Sequence, residues 1–132
     1  MLIKKLSFYT SLLATVVITF NVRSEIEELN NLNTFNEKVI NCKGSAVVKF
    51  YAPWCGPCKM MKPRFEESEK AYGSKINFFE VNIDKAMDIA NNYSVVSVPT
   101  IIFIADGKEK GRIIGSVSTE ELNKKIKEYL NS

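Results

Sequence analysis

Short runs of β-branched and aromatic residues alternate along this chain with charged stretches of helical period. Ala46-Val47-Val48-Lys49-Phe50-Tyr51 is the first dense run, and Ala52-Pro53 ends it, which predicts a buried strand feeding a turn. From Lys59 to Tyr72, Met61, Phe65 and Tyr72 recur with charges between them and Gly73 as a stop. That pattern predicts a helix kinked at Pro63. Ile76 to Ile83 reads as a second strand, Lys85 to Tyr93 as a short helix and Val95 to Pro99 as an extended segment. Thr100–Ile104 and Glu109–Ile114 flank Asp106-Gly107, the pattern of a hairpin. Ser118-Thr119-Glu120-Glu121 has capping-box spacing, and Leu122, Ile126, Tyr129 and Leu130 form the core-facing stripe of a last helix. Upstream, a weak strand near Ile26 to Leu29 and a helix from Leu32 to Cys42 complete a β-α-β-α-β-α-β-β-α order. Phe78, Phe79 and Ile101 to Ile104 are expected in the core, as are Met60 and Met61 as flexible filler, with a place at the rim of the cysteine motif they follow as the alternative.

Residues 1–24 differ from the rest and are expected to be a leader, with a single domain over 25–132. Lys4-Lys5 precede a mostly apolar stretch from Leu6 to Phe20, and small residues lead to Glu25, which resembles a cleaved secretory signal peptide. As a helix that stretch would reach only about 22 Å at 1.5 Å per residue, short of the roughly 30 Å of a bilayer core. An uncleaved membrane anchor extending to Val22 and an organelle presequence are the alternatives. The segment supports the presequence by lacking acids and carrying Ser7, Thr10, Ser11, Thr15 and Thr19. Delivery to a secreted, periplasmic or secretory-pathway space is the leading expectation.

The leader also accounts for the net charge of +3. Of 18 basic residues, Lys4, Lys5 and Arg23 lie in the leader, so the other 15 match the 15 acids. A neutral domain leaves no footprint for nucleic acid or an anionic membrane. The absence of histidine excludes Ser-His and Cys-His catalysis, histidine metal sites and haem attachment at a CxxC.

Cys55-Gly56-Pro57-Cys58 can be a redox pair, half of a zinc site or a structural disulfide. Zinc needs about four ligands, and beyond this pair the chain offers only Cys42 as a soft donor, so no metal is expected. A cysteine between strand and helix receives unpaired N–H groups and the positive helix end, which favour the attacking thiolate. Cys58 lies one turn deeper, as suits a resolving thiol. Cys42, near the end of the first predicted helix, is expected to be a buried small hydrophobe, with an intermolecular disulfide as the alternative.

Phe50-Tyr51-Ala52-Pro53-Trp54-Cys55-Gly56-Pro57-Cys58-Lys59 resembles the active-site stretch of the thioredoxin family, and the Tyr51-Ala52-Pro53 lead-in is also similar to that of protein disulfide isomerases. Pro63 stands where the family has a helix-kinking proline, Val98-Pro99-Thr100 resembles its cis-proline segment, and Gly115 falls at its groove glycine. The similarity spans about residues 26–131. It implies an α/β thioredoxin fold, with a mixed sheet of about five strands flanked by about four helices. It further implies Cys55 as nucleophile and Cys58 as resolving thiol, with Trp54, Gly56, Pro57, Val98, Pro99 and Gly115 at the substrate. The implied activity is thiol–disulfide exchange, and the Gly-Pro dipeptide marks the family's reducing members. The alternatives are a disulfide oxidase or isomerase, or a thioredoxin-fold subunit of a larger complex. Disulfide-containing proteins are the expected substrates, an enzyme such as a thioredoxin reductase the electron donor, and a monomer without cofactor the expected state.

One position departs from the family. Where thioredoxins carry a buried Asp six residues before the first cysteine, this chain has Lys49, and where they carry a Lys on the next strand it has Glu80. Opposite each other, the two would form a pair of inverted sign, with Glu80 as proton acceptor for Cys58 and Lys49 as its charge partner. The alternative is that Lys49 reaches solvent and the relay is lost.

Overall fold

A computed structural model describes residues 26–131; the leader assigned to residues 1–24 lies outside them. The dense apolar runs become strands β1 (Glu27–Glu28), β2 (Ser45–Tyr51), β3 (Ile76–Asn82), β4 (Thr100–Ala105) and β5 (Lys108–Ile114). They form one mixed sheet in the order β1-β3-β2-β4-β5. β1 and β2 run parallel to β3, whereas β4 is antiparallel to β2 and β5 to β4. Helices α1 (Leu32–Phe35), α2 (Gly56–Tyr72), α3 (Met87–Asn92) and α4 (Thr119–Leu130) cover the sheet. This is the fold the sequence implies.

Alternation along β2 divides the core. Val48 and Phe50 pack with Phe35, Val39, Ile89 and Ile102 on the α1/α3 side. Val47 packs with Met61, Phe65, Leu122 and Ile126 on the α2/α4 side. The stripe of α4 is core, and its entry is capped by the Ser118 hydroxyl, which accepts the Glu121 N–H at 3.2 Å. In the hairpin Asp106 and Gly107 have φ of +49° and +77°, the positive pair that a tight right-twisted turn requires. Ile104 faces Glu109 and Phe103 faces Gly111, so Lys110 is the extra residue of a bulge.

Four expectations are corrected. The first helix ends at Ile40, continuing from α1 as a π-helical turn over Asn36–Ile40. The chain must then reverse into β2, and Gly44 does so with φ +112°, its N–H donating to Asp106 Oδ1 at 3.0 Å. Cys42 therefore falls in the connection and is exposed, not buried. Met60 is also exposed while Met61 is fully buried, because neighbouring helix positions point about 100° apart and Met61 shares the Phe65 face. α3 is shorter than Lys85–Tyr93, because Lys85 closes a turn onto Asn82 O at 3.1 Å.

Candidate functional site

The site grows from the carboxyl end of β2. After Tyr51 the chain turns through Ala52, Pro53 and Trp54, and Cys55 becomes the N-cap of α2 in extended conformation. Its sulfur accepts the Cys58 N–H at 3.2 Å, one of the amides that a helix start leaves unpaired. Pro57 stands in the first turn, where the N–H it lacks would find no helical partner. α2 continues through Pro63 to Tyr72 as one helix. One turn of helix brings the Cα atoms of Cys55 and Cys58 to 5.2 Å, and the two are joined as a disulfide. Both sulfurs sit in a small apolar cluster with Ala52, whereas Trp54, Gly56 and Pro57 are exposed around them.

Two distant segments close on this pair. Cys55 Sγ lies 3.5 Å from Val98 O, and the Val98–Pro99 peptide is cis. The Gly115 N–H donates to Pro99 O at 2.8 Å, and Gly115 has φ +97° with open space where a side chain would begin. Val98, Pro99 and Gly115 thus form a backbone wall beside Cys55. Trp54, exposed next to Cys55 in sequence, donates from Nε1 to Asp84 Oδ2 at 3.1 Å.

Beneath the cysteines, Lys49 and Glu80 are register partners on β2 and β3. Lys49 Nζ lies 3.1 Å from Glu80 Oε2, with 3% of the lysine side chain and 24% of the glutamate side chain exposed. Lys49 does not reach solvent. Its ammonium lies 4.8 Å from the Phe65 ring centre and 5.5 Å from that of Tyr51, which partly replaces lost hydration. Lys49, Glu80 and Cys58 line one cavity of about 130 Å³ with Tyr51, Ala52, Pro53, Lys59 and Lys62. That volume has room for water in a space lined by both the Glu80 carboxylate and Cys58.

Residues invisible to sequence reasoning complete the surroundings. The Tyr51 hydroxyl donates to Glu28 Oε2, and Lys85 Nζ lies 3.2 Å from Glu28 Oε1. Burial, followed by the bond to Glu28, pushes the Tyr51 phenol above its ordinary range. The Tyr51 hydroxyl in turn holds the Glu28 carboxyl below its ordinary 4.5. No spacing in the sequence links Glu28 to Tyr51, or Asp84 to Trp54.

A dithiol–disulfide pair at a helix start, walled by a cis-proline segment and set on this sheet, defines a thiol–disulfide oxidoreductase of the thioredoxin type. The family model described as Thioredoxin matches residues 25–128, and the chain belongs to that family. It is similar to the chloroplastic M-type thioredoxin of Pisum sativum, 32% identical over 96% of this chain and 76% of the relative. The corresponding protein of Spinacia oleracea is 37% identical over 81% of this chain and 59% of its own length. The chain thus spans between about half and three quarters of the relatives it matches. Among solved structures, that of mitochondrial thioredoxin 3 from Saccharomyces cerevisiae in its oxidized form superposes with a TM-score of 0.73. The two are 37% identical over 80% of this chain and 97% of that one.

Proposed function

We propose that this protein is a dithiol reductant of protein disulfides. The observation that carries the proposal is Cys55, capping α2 with its sulfur beside both the Cys58 amide and the Val98 carbonyl. In the reduced protein the Cys55 thiolate attacks a substrate disulfide, forming the Cys55–substrate bond and expelling one substrate thiolate. The Cys58 thiolate then attacks Cys55 Sγ, forming the internal disulfide and releasing the second substrate thiolate. Two electrons have passed to the substrate, and a thioredoxin reductase or an equivalent dithiol donor restores the pair. Trp54, Gly56, Pro57, Val98, Pro99 and Gly115 hold the substrate, whose extended backbone pairs with the Val98 segment. Glu80 takes the Cys58 proton, with Lys49 as its charge partner; their shared cavity supports this role.

An organelle is the proposed compartment. The names of the relatives, chloroplastic and mitochondrial, favour the presequence reading of residues 1–24 and lend no support to secretion. Residues 1–24 fused to a fluorescent protein should direct it to an organelle, and export to the medium would refute this.

Reduction of insulin disulfides with dithiothreitol as donor tests the activity. The intact protein should accelerate it, and Cys55→Ser should abolish the acceleration. Cys58→Ser should instead accumulate mixed disulfides through Cys55, and inactivity of the intact protein would sink the proposal. Glu80→Gln should slow mixed-disulfide resolution, so a rate unchanged across pH removes Glu80 from the mechanism.

A further inference from the structure

The segment from Gly115 to Val117 continues from the backbone wall beside Cys55, yet it belongs to no helix or strand. Something other than secondary structure must hold it. On one side the Gly115 N–H is fixed to Pro99 O at 2.8 Å. On the other side two side chains of α2 reach it. Arg64 Nη1, with its two N–H bonds, donates to Ser116 Oγ at 3.1 Å and to Val117 O at 2.9 Å. Met61 Sδ accepts the Val117 N–H at 3.3 Å.

Arg64 is half-buried and makes no salt bridge among the described residues, although Glu66 and Glu67 share its helix. Its guanidinium is directed instead at a backbone carbonyl and a serine hydroxyl, acceptors that do not titrate in the physiological range. A charged donor to such acceptors makes a firmer tie than a neutral one. The same helix carries Cys55 at its N-cap. One helix therefore holds both the attacking sulfur and the segment that continues from the wall beside it.

We propose that Arg64 is a positioning residue that sets the Gly115–Val117 wall of the substrate groove. The inference rests on the groove assigned above. Without Arg64, Gly115 keeps its bond to Pro99 and Val117 its bond to Met61 Sδ, but the two charge-assisted bonds are gone, and the wall samples positions that fit an extended substrate poorly. Binding of a protein disulfide suffers, whereas the chemistry at Cys55 does not.

Insulin reduction and amide hydrogen exchange on Arg64→Ala, Arg64→Lys and Ser116→Ala provide the test. Arg64→Ala should raise KM about three- to tenfold with kcat held within about twofold, the signature of lost binding. Ser116→Ala, which removes one of the two acceptors, should raise KM about two- to threefold, and Arg64→Lys should recover most of the loss. Exchange should quicken at Gly115 and Val117 and not across the sheet. An unchanged KM in both alanine variants, or lower stability without a change in KM, overturns the inference. Should Arg64→Ala fail to fold, Ser116→Ala decides. Should the wild type fail to reduce insulin, the proposed function falls, and exchange at Gly115 and Val117 still decides whether the brace exists.

Discussion

Strand β2 sends Val48 and Phe50 to one side of the sheet and Val47, Lys49 and Tyr51 to the other. On the α1/α3 side those residues meet Leu29, Phe35, Val81, Ile89 and Ile104, an apolar cluster. On the α2/α4 side the same strand buries an ammonium against Glu80 and stands beneath the cysteines. Polar ties accumulate there, with Ser68 bonded to Asn123 at 2.7 Å and Arg64 to the loop before α4. The contrast teaches that stability and chemistry are separated by the pleat of one strand. The dry face holds the sheet in shape, while the other tolerates buried charge because each polar group has a fixed partner. Among the described residues no buried side-chain nitrogen or oxygen lacks one.

The largest expected effect tests the dry face. Phe50→Ala should cost about 3–5 kcal/mol in denaturant unfolding, while the folded fraction keeps its rate of disulfide reduction. A parallel loss of rate would show that the faces are not independent.

The next effect tests the charged face. Glu80→Gln leaves the Lys49 ammonium buried without its counter-charge and should cost about 2 kcal/mol. Lys49→Met removes the buried charge and leaves a glutamate that still reaches water, so its cost should stay below about 1 kcal/mol. Equal costs would mean that burial does not govern this pair.

A smaller, pH-dependent effect belongs to Tyr51 and Glu28. The Tyr51 phenol is raised above its ordinary 10.0 by burial and by Glu28. The stability it contributes is therefore complete below pH 10 and lost as pH rises through the higher folded value. Glu28 is held below 4.5, so its contribution is complete above that pH and lost as acid reaches the lower folded value. Tyr51→Phe should cost about 1 kcal/mol near neutrality and flatten both limbs of the stability–pH curve; unfolding series at acid and alkaline pH check this. Smallest of all, Cys42→Ser, at an exposed site outside both clusters, should change stability by less than about 0.5 kcal/mol.

Much of this architecture is legible residue by residue, since it follows from local rules. The Ala46–Tyr51 run makes a strand because β-branched and aromatic residues suit a buried pleat. Asp106-Gly107 makes the turn because both can take positive φ, and Ser118 begins α4 because its hydroxyl accepts an N–H three residues on. The cysteine motif is readable for the same reason, its geometry being one turn of helix. Boundaries and exposures follow less from local rules. Cys42 and Met60 have the composition of core residues, but a chain reversal at Gly44 and the facing of α2 put them outside.

What only the folded molecule decides is who meets whom across the sheet. Cys55 and Val98 O are 43 residues apart in sequence, and Arg64 and Ser116 52 apart. Lys49 meets Glu80 because β2 and β3 pair in one register, and a shift by a single residue would turn one of them to the other face. Register and strand order are set by the packing of both core clusters at once, a property of the whole chain that no local periodicity encodes. The cysteine pair can thus be recognised in a ten-residue stretch, while the Val98 carbonyl beside it, the Lys49–Glu80 pair and the Arg64 bonds to Ser116 and Val117 exist only once the sheet has closed around it.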